Sequence, residues 1–188
     1  MGAPAERKAT YADLEQLPAH VVGELLFGVL HTFPRPRLRH ARASTRLGSR
    51  LGPPFDEGDG GPGGWLFLDE PELHLGEDVL VPDLAAWRRE RLPELPDAAY
   101  LSLAPDWVCE VLSSSTRAID LTDKRAIYHR ECVSHLWFVD PAADAQTLEV
   151  QRWAQNGYVV VGAWRAEAVV RAEPFEAIEL RLAALWAS

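Results

Sequence analysis

Six short apolar runs dominate the sequence: Trp65–Leu68, Val79–Trp87, Asp106–Leu112, Leu136–Asp140, Thr147–Trp153 and Tyr158–Trp164. Proline, glycine or a single helix-forming stretch separates each from the next, and runs of this length and composition read as strands. The helical stretch, Thr116–Cys132, lies between the third and fourth runs and opens on Ser113-Ser114-Ser115-Thr116, which can cap it. Two strands joined by a helix run parallel, whereas short turns give antiparallel pairs. The order therefore specifies an α/β fold, bordering on α+β, with a mixed, strand-rich sheet flanked by helices.

Upstream, residues 11–17 read as a short helix capped by Thr10 and stopped by Pro18, and Val21–Phe33 reads as two strands joined tightly at Gly28. Arg39–Leu51 reads as a helix with Leu38, Ala41, Thr45, Leu47 and Leu51 near one side, ended by Gly52-Pro53-Pro54. Asp56–Gly64 is a flexible loop by composition. No linker divides the chain, so residues 1–188 are expected to form one domain with a flexible stretch at 1–10. At 188 residues the chain can bury roughly 70% of its unfolded surface without a disulfide or metal staple. Two cysteines, no signal-like start and no apolar run near the ~18 residues of a membrane span lead to the expectation of a soluble cytoplasmic protein.

The net charge of −9 argues against a nucleic-acid partner until its distribution is considered. Between Leu25 and Phe55 there is no acid, while Arg35, Arg37, Arg39, Arg42, Arg46 and Arg50 supply six positive charges. Arg42, Arg46 and Arg50 recur at helical spacing and form a stripe suited to phosphates, or else a solvated face neutralised by nearby acids. Arginine outnumbers lysine 17 to 2, and Lys124 is the only lysine beyond Lys8.

Two acids interrupt apolar strands. Period two places Asp83 with Val79, Val81, Ala85 and Trp87, and Pro82 before it marks an edge, a bulge or a strand start. Glu110 shares a face with Val108 and Leu112, opposite Trp107, Cys109 and Val111. Buried carboxylates must be paired, protonated or bound to a cation, and magnesium or manganese would serve; the alternative is that both sit solvated or salt-bridged at strand ends. On the following helix Asp120, Lys124 and Tyr128 form one stripe. Lys124 either makes a weak surface pair with Asp120 or returns over the strand end to Glu110.

These segments, VPDLAAW at 81–87, DWVCEVLSSST at 106–116, DKRAIYHRECVSHLWFVDP at 123–141 and VVGELLFGVLHTFPRPRLRHARA at 21–43, together resemble the Uma-two family of restriction-endonuclease-like proteins, within the PD-(D/E)xK nuclease superfamily. The resemblance runs from about Tyr11 to Trp186. It implies a restriction-endonuclease-like core with Asp83 and Glu110 as metal ligands and Glu24 as a supporting acid. The superfamily's usual lysine position, two residues after the glutamate, is Leu112 here; family members carry the lysine on the next helix, where Lys124 stands. Ser114 replaces a common proline, and Phe27-Gly28 replaces an Asp-Gly pair.

With Mg2+ or Mn2+ held by Asp83, Glu110 and the Val111 carbonyl, such a site would activate water against a DNA phosphodiester while Lys124 orients that water. The competing reading keeps the fold as a catalytically inactive scaffold binding nucleic acid or protein. A metal-free hydrolase using the two carboxylates ranks third, because it leaves Lys124 without a task. Strand edges after residue 134 need covering, and a homodimer is one way. His74, His135, Cys109, Cys132 and the serines at 113–115 read as structural.

Overall fold

A computed structural model of the chain describes residues 7–18 and 21–186. The opening helix α1 (Tyr11–Leu14) is followed by the hairpin β1 (Val22–Leu26) and β2 (Val29–Phe33), then by α2 (Leu38–Leu51). Next come β3 (Trp65–Asp69), β4 (Leu73–Leu75), β5 (Asp78–Leu80), β6 (Leu84–Arg88) and β7 (Trp107–Val111). Two short helices, α3 (Arg117–Ile119) and α4 (Arg125–Arg130), joined by a π-helical turn at Asp120–Lys124, lead to β8 (His135–Asp140). The chain ends with β9 (Thr147–Arg152), β10 (Val159–Arg165), β11 (Val169–Val170), β12 (Leu180–Arg181) and α5 (Ala183–Trp186).

The main sheet has six strands in the order β10-β9-β8-β7-β6-β3. Only β7 and β8 run parallel in it, and α3 and α4 make the crossover that a parallel pair requires. A second sheet, β2-β1-β5-β4, is antiparallel throughout. The mixed, strand-rich architecture expected from the sequence is thus present.

Two cores cover the two faces of the main sheet. On one, Ala43, Leu47 and Leu51 of α2 pack with Trp65, Trp107, Trp137 and Phe175, whose rings meet edge to face. On the other, Trp87, Val108, Leu136 and Phe138 pack against Ile127 and Tyr128 of α4 and against Leu26, Leu73 and Leu80 of the smaller sheet. The alternation along β7 is the one read from the sequence, with Cys109 facing α2 and Glu110 facing α4.

Several boundaries differ from the sequence reading. Val79–Trp87 is not one strand: Pro82, unable to donate to a ladder, falls in the passage where the chain leaves β5 in one sheet and enters β6 in the other. The face of α2 is rotated, with His40, Ala43, Ser44, Leu47 and Leu51 buried and Leu38 90% exposed. Gly52-Pro53-Pro54 does not end the helical path, which continues as a π turn through Glu57 because Pro54 and Phe55 are drawn into the core; Gly58, at φ 76°, makes the stop. Helix α1 stops at Leu14 rather than Leu17. Of the stretch expected to be flexible, residues 1–6 lie outside the described residues, while the Ala9 N–H donates to the Gly28 carbonyl. No helix among the described residues is long and apolar enough to cross a membrane.

Candidate active site

Glu110 sits near the end of β7, buried on the face covered by α4 and the smaller sheet. The crossover returns Lys124 and Tyr128 directly over it. Lys124 Nζ lies 2.8 Å from Glu110 Oε1, 3.1 Å from Glu24 Oε1 and 3.6 Å from Asp120 Oδ1. It also donates to the Val81 carbonyl at 3.4 Å, and the Tyr128 hydroxyl donates to Glu110 Oε1 at 2.6 Å. The Asp120–Lys124 pair is therefore not a surface pair: both side chains are 4% exposed, and the stripe faces inward because β7 ends beneath it.

Glu24 reaches this point from β1, where its Oε1 also accepts the Val81 N–H at 2.7 Å. Asp83 arrives from the passage between β5 and β6. Its Oδ2 accepts the Val111 N–H at 2.7 Å, and its Oδ1 lies 3.2 Å from His40 Nε2. Asp83, Glu110, Lys124, Glu24 and Asp120 border one hollow of about 530 Å³, together with His40, Glu70, Arg35 and Arg37.

The electrostatics follow from burial among like charges. Burial pushes the Glu110 carboxyl well up; Lys124 opposes this, while Asp120, Asp83 and Glu24 add to it. Asp120 is raised by burial against the pull of Lys124. For Lys124 burial favours the neutral amine, yet Glu110, Glu24 and Asp120 outweigh it and hold the ammonium well above its ordinary range. Burial and Glu110 keep Tyr128 a protonated donor. Four carboxyl groups thus share one lysine and one histidine; burial favours the neutral forms of Glu110 and Asp120, and a hard cation would favour the ionised ones. Among the described residues no three His, Cys, Asp or Glu side chains form a cluster able to hold a metal ion. Mg2+ needs no such cluster, since it is commonly bound through one or two carboxylates with waters and substrate phosphates.

His40 is the site residue the sequence reading missed. Nested among arginines, it was hidden by the wrong rotation of α2; a face through Ala43, Leu47 and Leu51 would have included it. The six arginines do not gather at one place. Arg35 and Arg37 border the site hollow, Arg39 and Arg42 border a second hollow beside Leu185 and Trp186, and Arg50 is exposed on α2. Ser113 receives the Thr116 N–H at 3.3 Å and bonds the Ser115 and Thr116 hydroxyls in the turn before α3, whose N-cap Thr116 makes no side-chain cap bond. His74 pairs with Glu72 and stacks on Tyr100, and His135 pairs with Glu173, both away from the site.

A crystal structure described as a putative nuclease belonging to DUF820, from Anabaena variabilis, shares the fold with a TM-score of 0.74 at 22% sequence identity, covering 94% of this chain and 97% of that one. No curated protein matches the sequence significantly. The family model Uma2, described as "Putative restriction endonuclease", matches residues 9–184, which is nearly the whole sequence, and the chain belongs to that family.

Proposed function

We propose that this protein is a divalent-metal-dependent nuclease that hydrolyses phosphodiester bonds in DNA. The observation that carries the reading is the buried meeting of Glu110, Glu24 and Asp120 on Lys124, with Asp83 bonded to the main chain of Val111 beside Glu110. Asp83, Glu110 and the carbonyl of Val111 would hold Mg2+ or Mn2+, which when bound supplies Lewis acidity and lowers the pKa of its water. Lys124, kept charged by its three acids, orients the attacking water and stabilises charge developing on the phosphate; a permanently protonated amine does not serve as the base. Tyr128 fixes Oε1 of Glu110 and His40 braces Asp83. Arg35 and Arg37 attract the phosphate backbone at the hollow, and Arg39, Arg42, Arg46 and Arg50 extend positive charge along α2.

The test offers supercoiled plasmid and a single-stranded DNA circle separately with Mg2+, Mn2+ or chelator. Wild type is expected to cut with metal only, and Asp83→Asn, Glu110→Gln and Lys124→Met, each checked for folding by circular dichroism, are expected to lose at least 100-fold. Cutting that survives all three substitutions overturns the mechanism. A second reading, a non-hydrolytic DNA-binding scaffold, draws on Lys124 and Tyr128 both engaging Glu110 Oε1. It requires metal-free binding with log affinity falling linearly in log salt, and no cutting of either DNA by the wild type.

A further inference from the structure

Resting on the nuclease reading, we infer that the strand taken into this site is unpaired, so that the substrate class is single-stranded DNA. The reacting groups are nearly closed to solvent: the Glu110 and Lys124 side chains are 2% and 4% exposed, and Asp83 14%. The hollow that borders them has the volume of a small-molecule pocket, about 530 Å³. Phe33 and the Pro34–Arg37 segment border it, as does the Ser113–Thr116 loop from a different part of the chain. A phosphate in duplex DNA runs along a stacked, two-stranded rod whose grooves alone measure roughly 6 to 12 Å across. Carrying that phosphate to the floor would drive the complementary strand into the protein. One or two unstacked nucleotides enter without that collision.

The lining has the chemistry of a single-strand channel, which combines cations along the backbone with an aromatic surface for a base. Arg35 and Arg37 are exposed, and no ion pair engages either of them among the described residues. Pro34 and Pro36 fix φ at alternate positions, so the two guanidinium groups ride on a stiff segment that loses little freedom on binding. Phe33 is half-buried at the border, and His31 lies parallel to it at 7°, with ring centroids 6.3 Å apart. Ser114, exposed on the loop whose Ser113 and Ser115 hydroxyls bond each other, also borders the hollow.

The probes are a fluorescein-labelled 12-nucleotide strand of mixed sequence and the same strand in a blunt duplex. Their anisotropy is followed with full-length protein in Ca2+ and their cleavage in Mn2+. The single strand is expected to bind and to be cut at least tenfold better than the duplex. Arg35→Ala with Arg37→Ala should reduce the log–log salt slope by about 0.7 for each phosphate that is no longer neutralised. Phe33→Ala should weaken binding about fivefold or more, and Phe33→Trp should restore it. Equal or better binding and cutting of the duplex overturns the inference while leaving the nuclease reading intact. Selective single-strand binding without cutting keeps the inference and removes the hydrolysis. No binding and no cutting of either probe removes both, and single-strand binding indifferent to Phe33 and to both arginines removes the assigned channel.

Discussion

Burial favours a neutral imidazole at His40, and the carboxylate of Asp83 at 3.2 Å reverses that preference, with Asp120 and Glu70 adding to it. The His40 pKa is accordingly above 6.5. Its contribution to stability is fully present below pH 6.5 and is lost as pH rises through the folded value. An NMR titration should show His40 titrating above 6.5 in wild type and lower in Asp83→Asn, where burial remains and the nearest counter-charge is gone. Lys124 presents the reverse problem. Lys124→Met strands three buried acids and is expected to cost about 3 to 5 kcal/mol in urea unfolding, while adding Glu110→Gln should recover part of the loss. Asp83, Glu110 and the Asp120-Lys124-Tyr128 stripe were legible because an acid in an apolar strand and an i, i+4, i+8 spacing are patterns of residue type. The meeting of Glu24 with the Val81 N–H was not, because a main-chain donor leaves no trace in the sequence.

The helix α2 shows where periodicity misleads. Its sequence supports two faces about a quarter-turn apart that share Leu47 and Leu51, and packing against Trp107 and Val111 selects the one carrying His40, Ala43 and Ser44 rather than Leu38, Ala41 and Thr45. Leu47→Ala is expected to cost about 2 to 5 kcal/mol and Leu38→Ala to stay within about 0.5 kcal/mol, measured by thermal and urea unfolding. Strand β4 escaped detection because three residues with a histidine at the centre carry no alternation worth reading. The same brevity hid β11, β12 and α5, which are held by the Phe175–Leu185 part of the core rather than by local preference. The six main-sheet strands were found because each is apolar and punctuated; only Val79–Trp87 was read as one run where the chain divides it between β5 and β6, and Pro82 itself marked the place.

At the scale of the whole molecule, the carboxyl groups of Glu24, Asp83, Glu110 and Asp120 meet where the two sheets approach, and a cation bound among them should strengthen the fold. Mn2+ or Mg2+ at about 100 times its Kd is expected to add about 2.7 kcal/mol, raising Tm by roughly 5 to 10 °C for a chain of this length. Differential scanning calorimetry should find no such rise in Asp83→Asn with Glu110→Gln. The residues that make the site are spread over Glu24, Asp83 and the 110–128 segment, so it is completed only when the hairpin sheet docks on the main one. Val81 lies in the short passage between those sheets, and both its main-chain groups are committed to site side chains, the N–H to Glu24 and the carbonyl to Lys124. A single peptide group there acts as a strain gauge: any sliding of one sheet over the other breaks its bonds first, and the hydrogen-exchange rate of the Val81 amide becomes a clock for how often the two halves part.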